Sequence, residues 1–174
     1  MKKISLNGTW TVKKSGSREK YPANVPGDIY GDLLRNKAID DPYFRDNELD
    51  LQWIGETDWI YSRAFNVPKT MSGQDRVLLH CDGLDTLASI SINGRKIAQT
   101  DNMFRTYEFD IKNWLKQGQN TNLINITFSS ASKYVREKRQ ERKLPQWGQP
   151  EGISGGNYIR KEPVSYTHLR AHET

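Results

Sequence analysis

The chain reads as an all-β protein, a β-sandwich carrying short helices. Apolar residues alternate at period two in a series of short runs, and turn chemistry punctuates those runs at close intervals. Helical spacing is confined to a few brief stretches. Many short strands with few helices bury their apolar faces most readily as sheet on sheet.

Taken in order, Leu6 to Val12 is the first expected strand, with Trp10 and Val12 on one face and Ser15-Gly16-Ser17 ending it. Val25-Pro26-Gly27 is a turn, because proline presets φ and glycine tolerates positive φ. Asp28 follows as an N-cap for a helix whose residues Ile29, Leu33 and Leu34 are expected on one face. Asp41-Pro42 forces extended or turned backbone. Trp59, Tyr61, Phe65 and Val67 then share a strand face at period two. Pro68 to Asp75 is expected as a polar loop and Val77 to His80 as a strand, followed by a turn at Asp82-Gly83.

The run Leu87 to Ile92 alternates Ala88, Ile90 and Ile92 with Ser89 and Ser91, the pattern of one buried and one wet face. Asn93-Gly94 is a hairpin signal, since a two-residue type I′ turn needs φ > 0 at both positions. Lys96 to Gln99 returns. Thr106 to Ile111 places Tyr107, Phe109 and Ile111 on one face, and Asp101-Asn102-Met103-Phe104 before it is expected as a turn with its aromatic tucked inward. After a Lys112–Leu115 turn and the loop Gln117 to Asn120, Leu123 to Phe128 is the last clear strand. Leu144 to Asn157 is irregular and rich in Pro and Gly, with Trp147 as its anchor.

Length and composition suit one domain with a sizeable core. Long apolar runs are absent, so no transmembrane helix and no membrane partner are expected. MKKISLNGTW has no apolar core of a signal peptide; with Met1 as the start, a cytoplasmic location is expected. Cys81 is the one cysteine, which rules out an intrachain disulfide or a cysteine metal cluster, and it is expected as a small buried hydrophobe. The net charge of +5 is concentrated in Lys133 to Lys143, with six basic residues and two glutamates. A nucleic-acid helix is one reading. A solvated helix is the preferred one, because no nucleic-acid motif accompanies the charge.

The run DPYFRDNELDLQWIGETDWIYSRAF, preceded by the Val25-Pro26-Gly27 turn and a short helix, closely resembles the N-terminal domain of β-mannosidases in glycoside hydrolase family 2. GLDTLASISINGRKI, DNMFRTYEFDI and LKQGQNTNLINITFSS match in the same order, so the resemblance extends from Ile4 to Pro163. It implies a jelly-roll, galactose-binding-domain-like fold over residues 1–163. It also implies that the parent releases terminal β-mannose from manno-oligosaccharides or other β-mannosides by a retaining mechanism. The WIGETDW and DNMF segments favour mannosidase over the sister activities β-galactosidase, β-glucuronidase and exo-glucosaminidase. In the family the catalytic glutamates lie on a (β/α)₈ barrel reached through a second sandwich, and neither is in this sequence.

Retaining hydrolysis needs two carboxylates about 5–5.5 Å apart. Acids are plentiful between Asp40 and Asp58, but abundance is not geometry, so no catalytic residue is assigned and this fragment is expected to be inactive. No cofactor and no metal are expected. By the resemblance, Asp41, Asn47 and Glu48 are candidates to orient the barrel or border the sugar site. The local alternative, which is preferred, makes Asp41 a turn residue and has Asn47 and Glu48 satisfy nearby backbone donors. Trp53 and Trp59 are expected in the core rather than as sugar platforms, and His80 as satisfied within a strand.

Residues 164–174, VSYTHLRAHET, depart from the family pattern, in which an aromatic G-W-D-W-G-P segment follows. They resemble the in-frame translation of a transposase-type sequencing adapter and are expected to be a disordered, non-native tail. His168 and His172 stand at i, i+4, but without a third ligand they do not make a metal site. Two rivals to the scaffold reading are a free carbohydrate-binding module and a nucleic-acid-binding protein built on Lys133–Lys143. An exposed Trp53 or Trp147 beside a concave face would favour the module.

Overall fold

The computed structural model describes residues 3–116, 120–144 and 158–160. The expected loop Gln117 to Asn120, apart from Asn120, the Trp147 anchor and the 164–174 tail lie outside them. Eight strands are present among the described residues: β1 Gly8–Lys14, β2 Tyr21–Val25, β3 Trp59–Phe65, β4 Leu78–Cys81, β5 Ala88–Ile92, β6 Arg95–Thr100, β7 Tyr107–Asp110 and β8 Asn122–Phe128. Six form one sheet in the order β2-β1-β3-β8-β5-β6, and β4 pairs with β7 in a second. All pairings are antiparallel.

The register of the large sheet shows why its sequence alternates. One cross-strand row runs Tyr21, Val12, Tyr61, Ile126, Ile90, Ala98 through all six strands. Directly opposed residues share a face, so this row lies on the inner side. There it meets Leu79 of the small sheet, with Val77 just ahead of β4 and Ile111 just after β7, in one apolar core. The expected alternation at Ala88, Ile90 and Ile92 holds, and all three are buried. Asn93 and Gly94 turn the following hairpin with φ of 52° and 81°, as a type I′ turn requires.

β2 escaped the sequence reading because Pro22 interrupts it. Pro22 is tolerated there because β2 is an edge strand, where a missing N–H costs no ladder bond on the open side. The Val25-Pro26-Gly27 turn follows at once. A Cβ on Gly27 would stand 2.4 Å from the Asn24 carbonyl oxygen, so only glycine fits.

Among the described residues four α-helices accompany the strands: α1 Ile29–Arg35, α2 Asn47–Asp50, α3 Lys69–Ser72 and α4 Ala131–Glu141. Asp28 caps α1, its carboxylate accepting from the Gly31 N–H at 2.9 Å. Leu34, expected inward, is 39% exposed. At about 100° per residue it lies roughly 140° round from Ile29, and Asp32 takes the inner position beside Leu33 instead. Within the expected Pro68–Asp75 loop, α3 makes a single turn behind Pro68. α4 buries none of its residues, which agrees with the solvated helix read from its charge.

Two aromatics depart from expectation. Trp59 is buried, but Trp53 is 40% exposed. Gln52–Ile54 is a 3-10 turn rather than extended chain, so Ile54 turns inward and Trp53 outward. Phe104 is 65% exposed. Its loop is held by backbone instead: Asn102 bridges to Arg160, and the Met103 N–H donates to the Arg160 carbonyl at 3.0 Å. Cys81 is half-buried rather than fully enclosed, and burial raises its thiol pKa to about 11.

Asp32 is wholly buried and fully bonded. It accepts from the Tyr61 hydroxyl at 2.9 Å and the Asn24 N–H at 3.0 Å, and pairs with Arg35. Among the described residues no buried side-chain nitrogen or oxygen lacks a partner. Two predictions follow from this packing. Trp59→Ala should cost about 3–5 kcal/mol through lost transfer energy and a cavity; an unchanged denaturant midpoint would contradict it. Asp32→Ala strands the Tyr61 hydroxyl and the Asn24 N–H and should cost about 2–4 kcal/mol. In a double-mutant cycle with Tyr61→Phe the two losses should fall short of additivity, and strict additivity would sever the contact energetically.

Candidate functional site

The segment Asp41 to Asp50 folds on its own polar groups. Asp41 accepts the Tyr43 N–H on its carboxylate at 2.9 Å and the Phe44 N–H on its carbonyl at 3.1 Å. Asp41 is thus a turn residue, and the turn it makes is an Asx turn. Asn47 reaches back and donates its amide to the Asp41 carbonyl at 2.8 Å. It therefore satisfies a backbone acceptor, where a backbone donor was expected. Glu48 has its carbonyl held by the Gln52 amide at 2.8 Å, while the residue itself stays exposed. The structure thus joins Asp41 to Asn47 and sets Glu48 on the adjoining helix α2. Tyr43, Phe44 and Leu49 are exposed on the same segment.

From Gln52 to Trp59 the chain is stapled on both sides. Thr57 donates its hydroxyl to the Trp53 carbonyl at 2.7 Å, and the Trp59 indole N–H donates to the Ile54 carbonyl at 3.0 Å. From the opposite side, Ser130 at the start of α4 donates its hydroxyl to the Gly55 carbonyl at 2.6 Å and its N–H to the Asp58 carboxylate at 2.7 Å. Arg136 grips Glu56 through both carboxylate oxygens and holds that carboxyl below its ordinary pKa. Three of the acids conspicuous in the sequence, Asp41, Glu56 and Asp58, are therefore committed to turns and staples.

The rigid Trp53 turn borders a cleft of about 100 Å³. Its apolar lining includes the buried Leu33 and Trp59 and the exposed Ala38, and Trp53 forms one wall, tilted 46° to Trp59 at a centroid distance of 5.9 Å. The β1–β2 hairpin forms the polar rim. Lys14 Nζ stands 5.6 Å from the centre of the Trp53 ring. Glu19 hydrogen-bonds the Tyr21 side chain and raises the phenol's pKa above 10.0. Sequence reasoning missed this cleft, since its walls come from β1, α1 and the 3-10 turn.

On the small sheet His80 is satisfied within β4 as expected. Nδ1 meets Glu108 and Nε2 meets Asp82, each at 3.0 Å. Among the described residues no group of three or more His, Cys, Asp or Glu is arranged to hold a metal. None of the described helices is long and apolar enough to cross a membrane.

The fold and its sequence define the chain as a galactose-binding-like sandwich domain of the kind found in glycosyl hydrolases. Residues 10–168 match the family model of the glycosyl hydrolase 2 galactose-binding domain-like domain, and the chain belongs to that family. Among its relatives are β-mannosidases. It is 36% identical to the β-mannosidase of Bos taurus over 170 residues, covering 94% of this chain and 19% of the bovine protein. It is likewise 36% identical to β-mannosidase A of Emericella nidulans, covering 83% of this chain and 15% of that protein. The crystal structure of the β-D-mannosidase of Dictyoglomus thermophilum superimposes with a TM-score of 0.82 at 33% identity, covering 89% of this chain and 19% of that one. The exo-chitosanase of Amycolatopsis orientalis shares the fold, with a TM-score of 0.61, 19% identity, and coverage of 70% of this chain and 16% of that one. The chain thus corresponds to the N-terminal portion of β-mannosidases about five times its length.

The two acids flanking His80 raise its pKa above the ordinary 6.5, Glu108 contributing most. A raised folded-state value means that the contribution to stability is fully present below pH 6.5 and is lost as pH rises through the folded value. The His80 ring protons should therefore titrate above 6.5 by NMR, with the shift shrinking in added salt because the group is exposed. A midpoint at or below 6.5 would show that the contacts do not persist in solution.

Proposed function

We propose that this chain is the N-terminal scaffold domain of a β-mannosidase, an enzyme that removes terminal non-reducing β-D-mannose from manno-oligosaccharides and other β-mannosides with retention. The observation that carries this reading is the joint agreement of fold and sequence with the Dictyoglomus thermophilum enzyme over most of the chain. The chemistry agrees. A retaining enzyme needs two carboxylates about 5–5.5 Å apart with no competing partners, whereas Asp41, Glu56 and Asp58 are tied into turns and staples here. The reacting pair is then supplied by a downstream (β/α)₈ barrel, beyond an intervening sandwich.

In this reading the Asp41–Asp50 segment faces that barrel. Tyr43, Phe44 and Leu49 form an exposed apolar fringe suited to covering by a neighbouring domain. Asp41 and Asn47 brace the loop, and Glu48 borders the sugar site.

The chain by itself should not hydrolyse 4-nitrophenyl β-D-mannopyranoside, whereas the full-length protein should. In the full-length protein Glu48→Ala should raise KM several-fold while leaving the fold intact. Turnover by the isolated chain that disappears on mutating one of its own acids would overturn the scaffold role. A full-length protein that prefers a β-glucuronide or β-galactoside would overturn the mannoside assignment.

A further inference from the structure

The two sheets of the sandwich differ widely in breadth. At about 4.8 Å between neighbouring strands, the six-stranded sheet is about 24 Å across from β2 to β6, whereas β4 and β7 span about 5 Å. Among the described residues β4 is the sole strand beside β7, so the other side of β7 is an open edge. The register states which groups line it. The Ile111 N–H donates to the Val77 carbonyl at 2.8 Å, so residues of the same parity, Phe109 and Tyr107, turn their backbone groups toward β4. The N–H and C=O of Glu108 and Asp110 therefore point the other way, along the open edge.

An open edge is a template for a further strand, and three observations bear on which strand takes it. Phe109 packs against the core yet stays half-buried, and Tyr107 stacks on it with ring centres 6.0 Å apart and planes 11° from parallel. The chain also returns to this place. Asn102, in the loop leading into β7, bridges in parallel to Arg160, and the Met103 N–H donates to the Arg160 carbonyl. Finally, this chain covers 19% of the Dictyoglomus thermophilum enzyme, so four-fifths of such a protein lies outside it. We infer that in the full-length protein the small sheet is extended by a strand from the polypeptide downstream of this chain, paired along the Glu108 and Asp110 edge of β7.

The edge dictates the chemistry of that strand. Its backbone completes the ladder, and its side chains alternate. The inward ones are apolar and cover Tyr107 and Phe109, while the outward ones are polar and share the wet face with His80 and Glu108. A second copy of this chain would have to be drawn from solution, whereas a tethered strand is present at an effective concentration on the order of millimolar. The inference rests on the reading above only in requiring that polypeptide follow this chain; it takes nothing from the catalytic barrel.

The test is amide hydrogen exchange, residue by residue, in this chain and in the full-length protein. In this chain the Tyr107 and Phe109 amides should be protected and those of Glu108 and Asp110 should exchange freely. In the full-length protein the Glu108 and Asp110 amides should exchange on the order of a hundredfold more slowly. A second measurement compares Glu108→Pro with Glu108→Ala, both of which lose the His80 contact. Proline at an open edge forfeits no ladder bond, so the two variants of this chain should melt together. In the full-length protein Glu108→Pro should melt several degrees below Glu108→Ala. Free exchange of Glu108 and Asp110 in the full-length protein, or equal melting of its two variants, would overturn the inference. So would protection that grows with the concentration of this chain alone, which would give the edge to a second copy. Because none of these readouts is turnover, failure here is separate from failure of the full-length protein to cleave a β-mannoside.

Discussion

One buried carboxylate ties the two halves of the sandwich's edge together. Asp32 sits on the inner side of α1 with no exposure, and receives the Tyr61 hydroxyl from the centre of the large sheet and the Asn24 N–H from its edge. Burying an ionised group is costly unless it is bonded and paired. Here the Arg35 guanidinium, half in solvent, supplies the charge and two neutral donors complete the shell. The same contact pushes the Tyr61 phenol well above its ordinary pKa, first through burial and then through the Asp32 charge. Helix, edge strand and central strand are thereby held in one relative position, and the Asp41–Asp50 segment departs from that point.

A second set of contacts works on the turn just ahead of β3. Ser130 and Arg136 of α4 reach across to Gly55, Asp58 and Glu56, more than seventy residues earlier in the chain. α4 therefore has a purpose that its charge obscures. Its arginine and its capping serine hold the WIGETDW turn, while its remaining basic residues face solvent. The same turn carries Trp53 and lines the cleft. Its rigidity is a product of the packing of α4 and not of local propensity, since a 3-10 turn of three residues has little stability alone.

Membership of the glycosyl hydrolase 2 galactose-binding domain-like family accounts for the division of labour seen in the side chains. Asp41 holds a turn, Asp28 caps α1, and Glu56 and Asp58 bridge to the body and the start of α4. The exposed apolar residues, by contrast, gather on the Asp41–Trp53 segment, where Tyr43, Phe44, Leu49 and Trp53 all meet solvent. A domain corresponding to about a fifth of its relatives is expected to spend its carboxylates on shape and to keep its apolar surface for contacts.

What the sequence determined on its own was whatever depends on neighbours a few positions apart. The alternation of Ala88, Ile90 and Ile92 set the buried face of β5, Asn93-Gly94 set its hairpin, Asp28 set the start of α1, and Asp41-Pro42 set a turn. Each follows from side-chain period or from the few φ values a residue tolerates. The tertiary structure decided the rest. Pro22 lies in a strand because that strand is an edge; Asp32 is buried because Tyr61, Asn24 and Arg35 converge on it; Trp53 is exposed because Ile54 took the inner place. The cleft was illegible for the same reason, since its walls come from three segments of the chain. A local pattern states which face of an element is apolar, but only the pairing of distant segments states what that face will meet.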